Sequence, residues 1–167
     1  MAKVKRSQKA MFMNITPDET NPTYARMGEG ITTLTMNYNP SVTTEQYIDD
    51  DVATSSIDSY APTIPVDQAC VAGDGVFEFI DDLRKTLPVL SAADTDVIEV
   101  DMYETPDTGG TIYPARKWNV SIQFDTDGGD AGPAARITYT LLVRGAPIEG
   151  DFDVSPDTAG LVFTADT

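Results

Sequence analysis

The sequence predicts a mainly β (α+β) fold: an antiparallel β-sandwich or open barrel with one α-helix on its flank. Three observations carry that expectation. Trp118 to Phe124 and Ile137 to Val143 alternate apolar and polar residues with period two. Between them Asp127-Gly128-Gly129-Asp130 supplies the turn chemistry of an antiparallel pair. Only residues 74–87 combine the apolar period of a helix with signals at both ends, and strand-like sequence surrounds them.

In that helix Val76, Ile80, Leu83 and Leu87 recur at i, i+4, i+7 and i+11 and form one apolar stripe. Glu78, Asp81, Asp82 and Lys85 fall mainly on the opposite side. Asp74 is placed to cap the first turn, Arg84 and Lys85 suit the negative end of the dipole, and Pro88 cannot continue the ladder. A helix of about 13 residues is marginal alone, so the stripe must pack on a sheet.

In chain order, residues 1–22 read as an extended N-terminal arm and residues 23–167 as a single domain. The Met11-Phe12-Met13 cluster is too apolar for a solvated linker, so it packs on its own domain or on a neighbouring molecule. Strands are expected at Ile31–Asn37, Val42–Ile48, Tyr60–Val71, Asp96–Glu104, Ile148–Val154 and Leu161–Thr164 besides the alternating pair. Asp49 to Asp58 reads as a long acidic loop between the second and third of these. Pro62 and Pro65 remove ladder donors and place part of the third strand at an edge or bulge. Thr105 to Gly110 and Ser155-Pro156-Asp157 read as turns.

With 167 residues the chain suits one domain, and a charged fraction of 23% with an apolar fraction of 41% fits a folded, soluble protein. Its 27 acidic and 11 basic residues give a net charge of −16, which opposes any grip on nucleic-acid phosphates. Lys3, Lys5, Arg6 and Lys9 form a short basic arm, read as a solvated tail ahead of a nucleic-acid or membrane contact. The first ten residues hold no apolar signal core, and no run of about 18 apolar residues occurs, so secretion and membrane spanning are not expected. Asn14-Ile15-Thr16 matches a glycosylation sequon that has no meaning without secretion.

The chemistry of the side chains excludes more. The chain has no histidine, which removes the commonest general base, the commonest metal ligand and every Ser-His or Cys-His pair. Cys70, the single cysteine, reads as a small buried side chain. Gly73-Asp74-Gly75 lacks the further glycine or lysine of a phosphate loop. Asp125 to Asp130 has a calcium-loop order reversed at Gly129-Asp130, with Arg136 where the bidentate glutamate belongs. Asp49-Asp50-Asp51 are consecutive and diverge, so they read as an exposed tip instead of paired carboxylates or a cation site. No catalytic residue, cofactor or metal is expected.

One succession of short motifs points further. Tyr24-Ala25-Arg26-Met27-Gly28-Glu29-Gly30 leads into a strand, followed by Asn39-Pro40, Glu45-Gln46-Tyr47-Ile48, Ser59-Tyr60-Ala61-Pro62 and Glu78-Phe79-Ile80-Asp81-Asp82-Leu83-Arg84 in the helix. Over nearly all of residues 24–154 this order resembles a major tail tube protein of a long-tailed, non-contractile, siphovirus-type bacteriophage. The resemblance implies a tail-tube fold, shared with the inner tubes of contractile tails and type VI secretion. It implies six-membered rings whose strands form one barrel around a channel, stacked into the tube that delivers the genome. The location implied is the virion tail tube, with synthesis in the bacterial host cytoplasm.

The partners implied are copies of the chain itself, a tape measure protein in the lumen during assembly, and the tail-tip or distal tail and tail terminator proteins. Phage DNA passes through without specific binding, and no membrane is involved. The loop carrying Asp49, Asp50, Asp51, Ser55 and Asp58, with the terminal arms, bridges subunits or rings in such a reading. The polar face holding Asn119, Ser121, Gln123, Asp125, Thr138 and Thr140 then lines the lumen, where a net negative charge repels phosphate. The chain ends near its last expected strand, so the immunoglobulin-like surface domain of some such proteins is not expected. The competing classes are a ligand-binding β-sandwich such as a carbohydrate module, another virion structural protein, and an enzyme using acidic catalysis. A binding face should display aromatics, whereas Trp118 is predicted inward and Tyr47 and Tyr103 are scattered.

Overall fold

The computed structural model describes residues 3–107, 109–155 and 161–166. In chain order the strands are β1 (Lys9–Asn14), β2 (Tyr24–Arg26), β3 (Ile31–Leu34), β4 (Pro40–Glu45), β5 (Thr54–Tyr60) and β6 (Thr63–Ala69). Helix α1 (Gly75–Thr86) follows, then β7 (Asp94–Asp101), β8 (Ile112–Gly128), β9 (Arg136–Val143), β10 (Ile148–Asp153) and β11 (Val162–Ala165). The main sheet runs β2-β1-β7-β8-β9-β6-β3, antiparallel throughout, and curls into a half-barrel, a mainly β architecture.

The 17-residue β8 is its spine. One edge pairs with β7 through Ala115–Ser121. The other edge is divided, with Val120–Gly128 against β9 and Ile112–Lys117 against β10, which carries β11 outward. The alternation read from sequence is the alternation observed: Trp118, Val120 and Ile122 are buried with Ile137, Tyr139 and Leu141, and Ile122 sits opposite Leu141.

Both faces of the sheet's middle are covered. On one, Met11, Met13 and Val97 join the β8–β9 residues beneath Val76 and Ile80 of α1. On the other, Phe12, Ile98, Val100 and Ala115 surround Phe152, whose ring lies 4.8 Å from Phe12 and edge-on to Tyr24 at 5.6 Å. Each large apolar side chain buried this completely contributes about 1.5–3 kcal/mol. Helix α1 begins where expected: Asp74 accepts from the Phe77 N–H at 2.9 Å.

Four expectations change. The segment Lys9–Asn14, read as part of an extended arm, is a strand between β2 and β7 with Ala10 to Asn14 all buried. A strand covered on both faces shows a continuous apolar run instead of alternation, which is why Ala10-Met11-Phe12-Met13 gave no period. Leu87 leaves the apolar stripe because it is the C-cap, left-handed at φ 45, and 73% exposed.

Strand β6 is no edge, since it pairs with β9 and β3. Pro65 is tolerated because its missing N–H points to the β3 side, in the gap between the Leu34–Val66 and Asn37–Thr63 pairs. Lastly, Thr54–Tyr60 is strand, so the acidic connection shrinks to residues 46–53 and Ser55 and Asp58 leave it. The expected turn at Pro156-Asp157, and Thr108 of the Thr105–Gly110 turn, lie outside the described residues.

Candidate functional site

Among the described residues, strands β4 and β5 pair only with each other, as a two-stranded sheet apart from the main one. Every residue of both is exposed. Cross-strand polar contacts hold them, with Thr44 Oγ1 and Ser55 Oγ 3.0 Å apart and Thr43 donating to Asp58. Their connection turns on Asp50 N–H donating to Tyr47 O at 3.1 Å and Gln46 Nε2 donating to Asp50 O at 3.0 Å. Asp49, Asp50 and Asp51 are exposed there, flanked by Ile48 and Val52, which are 107% and 79% exposed. A lone hairpin is marginal in water, and this one also exposes Val42, Tyr47 and Ile57.

The six polar residues of the β8–β9 face do converge. Thr140 Oγ1 and Gln123 Nε2 donate to the two oxygens of Asp125, each at 2.8 Å, and Gln123 faces Thr140 in register. Thr138 follows across a bulge between Phe124 and Thr126, and Asn119 and Ser121 continue the row toward β7. Asn119, Gln123 and Asp125 are exposed; Ser121, Thr138 and Thr140 are half-buried. This makes one continuous wet face opposite the helix.

Sequence reading missed a cleft of about 940 Å³ at the base of the hairpin, lined by Tyr38, Pro40, Tyr60, Pro62, Trp118 and Pro147. Its signal was present: Tyr-x-Pro occurs at both hairpin ends, as Tyr38-Asn39-Pro40 and Tyr60-Ala61-Pro62. Also missed were two buried polar clusters. Asp96 accepts from Tyr24 OH at 2.8 Å and Asn14 Nδ2 at 3.0 Å, with Lys117 at 3.7 Å. Gln68, fully buried, bridges Tyr139 and Asp74.

Little in this arrangement activates a nucleophile or a metal. Burial pushes the Cys70 thiol up, and the charges of Asp127 and Asp81 push the same way, the reverse of what thiolate chemistry needs. Among the described residues no group of three or more His, Cys, Asp or Glu side chains could hold a metal ion. Nor is any described helix long and apolar enough to cross a membrane.

No protein-family model matches the chain, and no curated protein sequence does. Solved structures do match. One is a chain of the tail of an empty GTA particle, computed with helical refinement and C6 symmetry; it aligns with a TM-score of 0.54 at 12% identity, covering 98% of this chain and 100% of that one.

Proposed function

We propose that this chain is a tail-tube subunit whose copies close into six-membered rings and stack into the conduit for a genome. The observation that carries the reading is the β4–β5 hairpin, a marginal element with exposed apolar residues that only a neighbouring molecule would cover. The likeness to a C6-symmetric tail chain over 98% of the sequence supports it. In this reading the Asn119–Asp125 and Thr138–Thr140 face lines the channel. The chain's −16 charge keeps that lining from holding DNA. The tape measure, tail-tip and tail terminator proteins are the further partners of such a tube.

Size-exclusion chromatography and negative-stain microscopy test it. Purified protein should convert from monomer or small oligomer to tubes with six-fold cross-section. A species that stays monomeric at high concentration, with and without a tail-tip initiator, rules the reading out. Replacing residues 46–53 by Asn-Gly should leave a folded subunit that no longer forms tubes.

A further inference from the structure

The chain's 11 cations divide into two sets. All six beyond residue 80 are paired with carboxylates: Arg84 with Asp81 and Asp127, Lys85 with Asp81 and Asp82, Arg116 with Glu99 and Asp101. Lys117 pairs with Asp96, Arg136 with Asp67 and Arg144 with Asp94. Lys3, Lys5, Arg6, Lys9 and Arg26 have no carboxylate partner among the described residues, in a chain with 27 acidic residues. Their contacts leave the charge uncompensated. The Arg6 guanidinium donates to the carbonyls of Lys9 and Leu34, Arg26 donates to the Ser7 carbonyl at 3.2 Å, and Lys9 Nζ lies 5.8 Å from the Tyr103 ring centre. Arg6, Lys9 and Arg26 share the walls of one cleft of about 330 Å³.

The complementary charge is in the hairpin. No Lys or Arg occurs between Arg26 and Arg84, while residues 40–60 hold Glu45, Asp49, Asp50, Asp51 and Asp58, none in an ion pair among the described residues. We infer that the N-terminal cation cluster of one copy receives the acidic hairpin tip of a second copy. This deepens the assembly reading by naming the receiving surface. Two copies at −16 each repel, so local pairing of opposite charge favours association, and the hairpin carries its unpaired carboxylates beside the exposed Ile48 and Val52. A tip-onto-end contact is heterologous, the kind that closes rings or propagates stacks.

Charge reversal tests the pairing. Lys5→Glu with Lys9→Glu, and separately Asp49→Lys with Asp50→Lys, should each raise the critical concentration for tube formation about tenfold, at an unchanged melting temperature. Combining all four should bring it back to near the parent value. Reversals that assemble like the parent, or a combination no better than either pair, overturn the inference. So does a lysine reversal that abolishes pelleting with duplex DNA or anionic phosphatidylserine vesicles but leaves tubes intact, which gives the cations to an anionic surface. Tubes lost on hairpin shortening but retained on reversal remove this pairing alone; tubes retained on shortening remove the hairpin's role itself.

Discussion

Gln68 holds the oxygen of Asp74 that caps the helix: its Nε2 donates to Asp74 Oδ2 at 2.9 Å, and that same oxygen accepts the Phe77 backbone N–H. Tyr139 donates to the other end of the amide, Gln68 Oε1, at 3.1 Å. A polar chain thus runs from the sheet's buried centre to the first turn of α1 and fixes where the helix sits.

Asp74→Ala should therefore cost more than a cap. Losing the cap costs about 1 kcal/mol, and leaving the buried Gln68 amide without an acceptor costs about 1–3 kcal/mol more. Urea denaturation should show a combined loss of about 2–4 kcal/mol. A loss under about 1 kcal/mol would mean the chain of hydrogen bonds is not formed.

Stability should fall at alkaline pH. Burial pushes the Tyr139 phenol far above its usual range, with the Asp74 charge adding to it; burial and the hydrogen bond to Asp96 do the same for Tyr24. Because both folded values are raised, their contribution is complete below the unfolded phenol value of about 10 and is lost as pH rises beyond it. Tyr139→Phe should flatten that decline. Urea midpoints between pH 8 and pH 11 that fall as steeply in the variant as in the parent would refute the assignment.

The helix separates core from surface within three residues. Ile80 is fully buried, so Ile80→Asp places an unpaired carboxylate in the core at a cost of several kcal/mol against a typical ~5–15 kcal/mol, and the subunit should unfold. Asp82 is exposed, and Asp82→Ala should change stability by less than ~0.5 kcal/mol. Between them, Asp81 is held below the usual carboxylate range chiefly by its hydrogen bond from Lys85, then by Arg84. A lowered folded value means its contribution is present above pH ~4 and disappears as pH falls through the folded value. Asp81→Asn should remove that acid-side loss; circular-dichroism melts at descending pH would show whether it does.

Gly150 admits no side chain. A Cβ there would meet Thr164 O at 2.2 Å and Phe163 Cζ at 2.8 Å, because β11 crosses it so closely. Gly150→Ala should release β11 while β8 remains paired. Hydrogen exchange should then lose protection over residues 162–165 but keep it over 115–121; protection unchanged at both would contradict the packing.

Much of this was legible in the sequence where one face of an element is wet and the other dry. Trp118 to Phe124 and Ile137 to Val143 declared their strands and shared polar side, and Asp74 and Pro88 bracketed the helix. Lys9–Asn14 was hidden because both its faces are covered, and Thr54–Tyr60 because both its faces are exposed, so neither alternates. Gln68 and Tyr139 meet only through the β6–β9 register, with 71 residues between their positions. A period tells which side chains share a face and is silent about what that face meets.

The position of β1 has a consequence for synthesis. Its β7 partners run from Met13↔Val97 to Lys9↔Asp101. At ~5–20 residues per second, Ala10-Met11-Phe12-Met13 emerges several seconds before the strand that covers it. Of the two strands that pair with β1, only β2 is made in that interval, and its three residues cannot cover it. The strand translated first is enclosed late, a non-local pairing that slows folding. The nascent chain is therefore the form most exposed to aggregation, more so than the finished subunit.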